Sequence, residues 1–133
     1  MNIEGKRAFV SEAARVLKPG GKFSYFDILS KSGQELYFPV PWAQDNGISF
    51  LYSSAEWNEL LIATELQVES KENITAKAIE WFKKFFETVK THGAPAVGPN
   101  LLMGKDAPIK LQNLFKNFME EKCKVEMGIF VQF

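Results

Sequence analysis

The turn Lys18-Pro19-Gly20-Gly21 constrains the fold of this chain more than any other feature of its sequence. Proline lacks a backbone N–H and glycine adopts the left-handed conformation that ends many helices, so the turn predicts the end of a helix. In the preceding stretch, roughly Ile3–Leu17, apolar residues recur at helical spacing, namely Phe9, Ala13, Val16 and Leu17. The aromatic-rich stretch Lys22–Leu29 that follows predicts a short strand. A helix, a turn and a strand in this order form half of a βαβ unit, without its opening strand.

A loop, a helix and a second strand are predicted next. Ser30–Tyr52 contains two prolines and little periodicity, which is typical of an ordered loop. Ser53-Ser54-Ala55-Glu56 matches a capping box, the motif in which a serine and a glutamate satisfy each other's free backbone N–H groups. The helix that it opens is predicted to bury Trp57, Leu60 and Leu61. Leu66–Ile74 predicts a strand with Val68 facing the core.

Two more helices and a last strand complete the pattern. Thr75 is predicted to cap a long helix that runs to about Thr91 and has apolar residues on more than one face. Asp106 is predicted to cap another helix, whose buried seam comprises Leu111, Leu114, Phe115 and Phe118. Lys124–Phe133 predicts the final strand. The sequence therefore predicts a single α/β domain over residues 1–133, with a sheet of about three strands and helices packed on it.

The charge balance and the small number of metal-binding residues exclude several classes of protein. Sixteen basic and sixteen acidic residues give a formal net charge of zero, whereas proteins that bind nucleic acid or membrane surfaces normally carry a basic excess. No apolar run approaches the roughly 18–20 residues of a membrane span, and no secretory signal is visible. One cysteine, Cys123, and one histidine, His92, exclude a disulfide framework and a metal cluster of several such ligands. We expect a cytoplasmic protein that binds no metal.

The stretch Phe9–Phe23 resembles a segment of class I S-adenosylmethionine-dependent methyltransferases, in which the pattern F-x-E-x-x-R-V-L-K-P-G-G leads into the fifth strand of a seven-stranded, Rossmann-like sheet. Asp27 matches the acidic residue often found at the end of that strand. The later pattern P-x-P-W-A…S-F-L…S-A-E-W-x-x-L-L is similar to small-molecule members, particularly the sarcosine/dimethylglycine N-methyltransferase-like group. The resemblance implies the C-terminal half of a methyltransferase fold, with residues 74–123 as a helical, lid-like insertion.

The cofactor half of the family pattern has no counterpart in this sequence. The glycine-rich turn after the family's first strand is absent, as is the acidic residue that ends its second strand and holds the ribose. Gly20-Gly21 cannot replace the glycine-rich turn because it follows a helix and enters a strand. The sequence therefore assigns no catalytic, cofactor-binding or metal-binding residue. S-adenosylmethionine is implied by the family alone, and we expect that this chain does not bind it unaided.

Four residues are candidates for contact with a small-molecule amine substrate. Asp27 is placed to orient an amine at the mouth of the sheet, or alternatively to cap the loop that follows. Tyr37, Trp42 and Phe50 are candidates for an aromatic wall around a cationic amine, a cation–π arrangement worth about 0.5–2 kcal/mol. The alternative is that these three rings anchor their loop onto the core.

Cys123 has two interpretations as well. Its neighbours Lys122 and Lys124 would lower the pKa of a nearby thiol. The alternative is an ordinary thiol at the end of a helix.

Three interpretations of the whole chain stay open at this point. The first is the substrate-side half of a methyltransferase for small molecules, inactive without a cofactor half. The second is a non-enzymatic module that binds a small ligand or another protein. The third is that the sequence is part of a longer protein.

The resemblance also implies a particular assembly. In the family fold, the strand that matches Lys22–Leu29 pairs with the fourth strand on one side and with the last strand on the other. Without a fourth strand, one edge carries unpaired backbone groups, which invite pairing with another chain. We expect a homodimer through the Lys22–Leu29 edge. The alternative is that a loop or the N-terminal helix covers the edge.

Overall fold

The computed structural model of the protein describes residues 1–31 and 33–133. These residues form five α-helices and three strands, and single-turn 3-10 helices lie at Asn46–Ile48 and Gly104–Asp106. Four of the α-helices and all three strands follow the predicted order, whereas the short helix Pro99–Met103 was not predicted. In chain order the helices and strands are α1 (Lys6–Val16), β1 (Lys22–Ser30), α2 (Ser54–Ile62), β2 (Leu66–Asn73), α3 (Thr75–His92), α4 (Pro99–Met103), α5 (Ala107–Met119) and β3 (Cys123–Gln132). The α/β fold class is confirmed.

The three strands form one sheet in the order β1-β3-β2, with both pairings antiparallel. The β1–β3 pairing is regular from Lys22 opposite Val131 to Ser30 opposite Cys123. The β2–β3 pairing contains a bulge between Val68 and Ser70. The last strand therefore lies in the middle of the sheet, and the outer edges belong to β1 and β2.

Each face of the sheet carries its own hydrophobic core. The first core lies under α1 and α2, and its buried residues are Val10, Tyr25, Leu29, Trp57, Leu60, Leu61, Leu66 and Phe130. The second lies under α3 and α5, and its buried residues are Ile28, Phe82, Leu111, Leu114, Phe118, Cys123 and Val125. The predicted buried positions of α2 are confirmed, and so is the seam of α5, in which Phe115 is partly buried.

Two predictions of which side chains face the core are wrong. Helix α1 buries Val10, whereas Phe9 is 44% exposed and Val16 is 63% exposed. Lys6 shares the buried face of α1 with Val10, and its ammonium group donates to the carbonyl oxygens of Ile3 and Phe50. Val68 is 47% exposed because it lies at the bulge of an edge strand, where alternation no longer points it inward.

The start of α3 also differs from its prediction. Ile74 occupies the N-cap position, and no side chain there accepts a cap hydrogen bond. The Asn73 side-chain oxygen instead accepts from the backbone N–H of Thr75 at 3.0 Å and from its hydroxyl at 2.6 Å. The Thr75 hydroxyl oxygen accepts from the N–H of Val125 at 3.0 Å. Thr75 therefore ties α3 to β3 rather than capping its own helix.

The long helix α3 packs against α5 through aromatic side chains. Phe82 is buried against Phe115 and Phe118 of α5. Trp81 stacks on Phe85 with ring centroids 5.1 Å apart and remains half exposed. No helix among the described residues is long and apolar enough to span a membrane.

Candidate functional site

A cavity of about 690 Å³ opens where β1 and β2 end and β3 begins. Its polar lining comes from four separate parts of the chain and includes Ser30, Lys31, Ser53, Ser54, Thr75 and Lys124. Its apolar lining includes Ala55, Ala76, Ile79, Phe118 and Met119. A cavity of this size and mixed character suits a small organic molecule with one charged or polar end.

Two helices begin at the rim of this cavity. Helix α2 opens with the predicted capping box, in which the Ser53 hydroxyl accepts from the Glu56 N–H at 3.2 Å and the Glu56 carboxylate accepts from the Ser53 N–H at 2.8 Å. Hydrogen bonds from Ser53 lower the pKa of the Glu56 carboxyl group. Helix α3 begins at Thr75, which also lines the cavity. The positive ends of two helix dipoles thus lie beside the cavity, together with the ammonium groups of Lys31 and Lys124.

The buried carboxylate of Glu126 lies behind the wall of the cavity and binds residues of its lining. Glu126 is 4% exposed. Its side chain accepts hydrogen bonds from the Tyr25 hydroxyl at 2.6 Å, from the Ser54 hydroxyl at 2.7 Å and from the Lys124 ammonium at 3.0 Å. The Lys71 ammonium lies 3.2 Å from the same carboxylate. Ser54 and Lys124 line the cavity, so Glu126 fixes two of its polar groups.

The protonation states in this cluster follow from its contacts. Burial by itself would raise the pKa of Glu126, but the hydrogen bonds from Tyr25, Ser54, Lys124 and Lys71 outweigh burial and lower the pKa to about 2. Burial and the hydrogen bond to Glu126 raise the pKa of the Tyr25 hydroxyl well above its usual range. Glu126 is therefore ionised and Tyr25 is neutral at physiological pH, which suits a structural cluster rather than a proton donor or acceptor.

Cys123 also lines the cavity, but its thiol is not activated. Burial raises the pKa of Cys123 to about 12. Neither neighbouring lysine faces the thiol, because Lys124 is bound to Glu126 and Lys122 donates to the Glu35 carbonyl at 2.8 Å. The interpretation of Cys123 as a thiol of lowered pKa is therefore wrong.

The four residues predicted to contact substrate lie away from this cavity. The Asp27 carboxylate accepts from the Met1 ammonium at 3.1 Å and from the Ile28 N–H at 2.8 Å. The Trp42 indole N–H donates to Ser49 at 2.9 Å, and its ring is packed against the second core. The Phe50 N–H donates to the Met1 carbonyl at 3.0 Å. These contacts tie the long loop and the N-terminus together.

The ring of Tyr37 contacts two cations, and both are lysine ammonium groups of this chain. The ammonium groups of Lys116 and Lys122 lie 3.8 Å and 4.6 Å from its ring centroid. Its hydroxyl donates to Glu120 at 2.8 Å, and its N–H donates to the side-chain oxygen of Asn117 at 2.9 Å. Within residues 1–31 and 33–133, no aromatic ring contact joins any two of the three predicted wall residues, and a substrate role for the four candidates stays a prediction.

The paired glycines do not fit a cofactor cradle. Their backbone groups are used within the chain: the Gly20 N–H donates to Gln132 at 2.7 Å, and the Gly21 N–H donates to Lys18 at 2.7 Å. They precede β1, whereas the cavity lies at its other end, roughly 26 Å away for a nine-residue strand. The pair Gly20-Gly21 therefore does not form a cradle for S-adenosylmethionine. The part of the chain that the structure describes also contains no group of three His, Cys, Asp or Glu residues placed to hold a metal ion.

Comparisons with known proteins place this fold. No protein-family model and no curated protein sequence matches the chain. Three of the solved structures that are similar to it illustrate the match. A putative sarcosine dimethylglycine methyltransferase from Galdieria sulphuraria has a TM-score of 0.72 at 14% identity, over 99% of this chain and 49% of its own. Phosphoethanolamine N-methyltransferase 2 from Haemonchus contortus has a TM-score of 0.72 at 15% identity, over 98% of this chain and 31% of its own.

The third similar structure is geranyl diphosphate C-methyltransferase from Streptomyces coelicolor A3(2), with a TM-score of 0.63 at 13% identity, over 96% of this chain and 42% of its own. The chain therefore has the fold of S-adenosylmethionine-dependent methyltransferases, and the resemblance read from Phe9–Phe23 is confirmed at that level. It spans less than half the length of each of these three structures. A cyclase is also similar, with a TM-score of 0.58 at 15% identity, so the fold alone does not fix the reaction.

The cavity is the feature that sequence reasoning missed. Its polar residues come from the end of β1, the starts of α2 and α3, and the start of β3, which lie up to 94 positions apart between Ser30 and Lys124. One signal was available in the sequence. In the strand Cys123–Gln132, alternation places Glu126 on the same face as Gly128 and the buried Phe130. A carboxylate on a core-facing position requires buried partners, and their presence predicts a polar site nearby.

Proposed function

We infer that this chain is the acceptor-side half of a methyltransferase for small molecules, and that the cavity at the ends of β1 and β2 holds the methyl acceptor. The observation that carries this proposal is the position of the cavity, at the carboxyl ends of two strands in a fold shared with methyltransferases. Ligands of open α/β sheets bind outside the carboxyl ends of the strands. The role of residues 74–123 as a lid over the acceptor belongs to the same proposal.

The charges around the cavity favour an amine that also carries an acidic group. The two helix N-termini offer positive potential at the lining, where Lys124 is held by Glu126. Lys31 and Glu121 pair with each other at 3.4 Å, and they offer an ammonium and a carboxylate that a ligand carrying both charges could bind in place of each other. Two of the similar proteins are described as acting on sarcosine and dimethylglycine or bound to phosphomonomethylethanolamine, which are amines with a carboxylate or a phosphate. The chain's own contribution is to position such an acceptor and to exclude water from it.

Calorimetric titration of the protein with dimethylglycine, and separately with phosphomonomethylethanolamine, tests the assignment of the cavity. We expect one site per chain, and we expect Ala76→Trp to weaken binding by at least about tenfold, or about 1.4 kcal/mol. Ala76 is exposed in the first turn of α3 and lines the cavity, so a large side chain there fills the cavity without disturbing a core.

Ala8→Trp is the matched control, because Ala8 is also exposed, lies on a helix (α1) and lines no part of the cavity. The control is expected to bind as the unchanged protein does. Binding that survives Ala76→Trp would place the ligand elsewhere, and an absence of binding of both compounds would contradict the proposal.

The isolated chain is expected not to bind the cofactor. The backbone N–H groups of its only glycine pair are already hydrogen-bonded within the chain, at the far end of β1 from the cavity. Calorimetric titration of the protein with S-adenosylhomocysteine is expected to give no more than the heat of dilution. A micromolar dissociation constant at one site per chain would disprove this and would show that the chain carries a complete cofactor site.

A further inference from the structure

The ion pair between Lys31 and Glu121 lies in the lining of the cavity and joins two distant parts of the chain. The Lys31 ammonium lies 3.4 Å from the Glu121 carboxylate, and both residues line the cavity. The backbone holds them together, because the Lys31 N–H donates to the carbonyl of Lys122 at 3.0 Å, one residue beyond the pairing of Ser30 with Cys123. An ammonium and a carboxylate therefore stand side by side at the end of β1.

This ion pair is loosely held, so that a ligand can open it. The side chains of Lys31 and Glu121 are 59% and 80% exposed. Their separation of 3.4 Å exceeds the length of about 2.7–2.9 Å that is typical of charge-assisted hydrogen bonds. Exposed pairs of this kind contribute little to stability. The third charged residue of the described lining, Lys124, is bound instead to the buried Glu126 at 3.0 Å. Lys31 and Glu121 are therefore the charges that can change partners at small cost.

Glu121 occupies a backbone position that favours glycine. Helix α5 ends in a turn in which the Lys122 N–H donates to the Asn117 carbonyl at 2.9 Å and the Glu121 N–H donates to the Phe118 carbonyl at 3.1 Å. Glu121 itself has a φ of 53°. Glycine is usual at this position because side chains are strained in the left-handed conformation. The turn does not require a glutamate, and strained residues of this kind cluster at functional sites.

The two charges have different surroundings in the cavity. Phe118 and Met119 shortly precede Glu121 in the chain and also line the cavity. Apolar groups near a carboxylate suit a cationic nitrogen that carries methyl groups. Ser30 precedes Lys31 and lines the cavity as well. A hydroxyl group near an ammonium suits a carboxylate or a phosphate, because both are donors to an acidic group.

We propose that Lys31 and Glu121 determine the specificity of the cavity. On binding, their ion pair opens, Lys31 binds the acidic group of the acceptor, and Glu121 binds its ammonium nitrogen. This inference rests on the proposed function. A ligand with both charges replaces the opened ion pair with two new ones, whereas a ligand with one charge leaves Lys31 or Glu121 without its counter-charge. The cavity therefore selects an acceptor with both charges and rejects those with one.

Three compounds of nearly the same shape test this selection by calorimetric titration of the full chain. They are dimethylglycine, isovalerate, in which a CH group replaces the protonated nitrogen, and dimethylglycinamide, in which an amide replaces the carboxylate. We expect dimethylglycine to bind at least about tenfold more tightly than either analogue. Equal binding of all three that is lost in Ala76→Trp would overturn this inference and leave the proposed function standing. An absence of binding by all three would count against both.

Two variants assign the two ends of the ligand. Glu121→Gln is expected to abolish the preference for dimethylglycine over isovalerate, and Lys31→Gln the preference over dimethylglycinamide. Glu80→Gln and Lys84→Gln are the matched controls, because each opens an exposed ion pair of 2.9 Å outside the cavity, and both should keep the two preferences. A preference that survives the variant assigned to it would overturn the proposal.

Glu121→Gly separates binding from a purely structural role. Glycine adopts the left-handed conformation without strain, so the variant is expected to raise the urea midpoint of unfolding while abolishing the preference over isovalerate. A lowered midpoint with the preference intact would show that the Glu121 side chain serves the turn and not the ligand.

Discussion

Glu126→Ala is expected to lower the free energy of unfolding by about 3–5 kcal/mol, the usual cost of removing one partner from a buried charge cluster. The substitution leaves the Tyr25 hydroxyl and the ammonium groups of Lys71 and Lys124 without their shared acceptor. Urea unfolding followed by circular dichroism measures the effect. Glu80→Ala is the control, because Glu80 binds Lys84 at 2.9 Å on an exposed helix face, where such pairs contribute about 0.3–0.5 kcal/mol.

The same cluster predicts how stability depends on pH. The pKa of Glu126 is about 2 in the folded protein, below its ordinary value of 4.5. A carboxyl group with a lowered folded-state pKa contributes its stabilisation above the unfolded-state value and loses it as pH falls through the folded-state value. About 3 kcal/mol should therefore disappear between pH 4.5 and pH 2. If Glu126→Ala lost stability over this range as steeply as the unchanged protein, the carboxylate would not be the stabilising group.

Gly128→Ala is expected to destabilise the protein by about 1–3 kcal/mol, the usual cost of overpacking a core. Gly128 lies opposite Tyr25 in the sheet, and an added Cβ would lie 2.5 Å from a carbon of the Tyr25 ring. That ring cannot move aside easily, because Trp57 packs edge-on against it with centroids 5.5 Å apart, and its hydroxyl is bound to Glu126. Urea unfolding gives the loss, and the near-ultraviolet dichroism of Tyr25 and Trp57 should weaken.

Gly5→Ala is the matched control for this substitution. Gly5 has a φ of −78°, and an added Cβ there meets no atom within 4 Å. We expect a change below about 1 kcal/mol, within the range of N-cap substitutions at an exposed position. Equal effects of the two substitutions would mean that the backbone freedom of glycine, and not contact with Tyr25, decides the outcome.

The helices and strands of this protein were predictable because their signals are local. The Pro19-Gly20 turn, the capping box at Ser53–Glu56 and the period of the α5 seam each act within a few residues, and the structure contains all three features. Predictions failed where a distant contact decided the orientation. Phe9 was expected on the buried face of α1 but is exposed. Lys6 lies on that face instead, bound to the carbonyl of Phe50, 44 residues away in the chain.

The candidate site shows the same contrast between local sequence signals and contacts made by residues distant in the chain. Aromatic residues in a loop predicted a wall for an amine, and that role stays a prediction. In the structure Trp42 binds Ser49, Phe50 binds Met1, and the ring of Tyr37 lies beside two lysines of the chain itself. The cavity was not predicted, since Ser30, Ser54 and Lys124 are individually ordinary polar residues. They become a site when the sheet aligns the end of β1 with the start of β3.

The sequence by itself determined the class of fold and the absence of a glycine-rich cofactor turn, because both depend on residue types at short spacing. Only the tertiary structure decided which residues share the cavity and which groups compensate the charge of Glu126. Those properties depend on strand register, which pairs residues such as Ser30 and Cys123 across 93 positions of the chain. Register is set by the fit of both hydrophobic cores at once, and a one-residue shift would move every side chain of β3 to the other face.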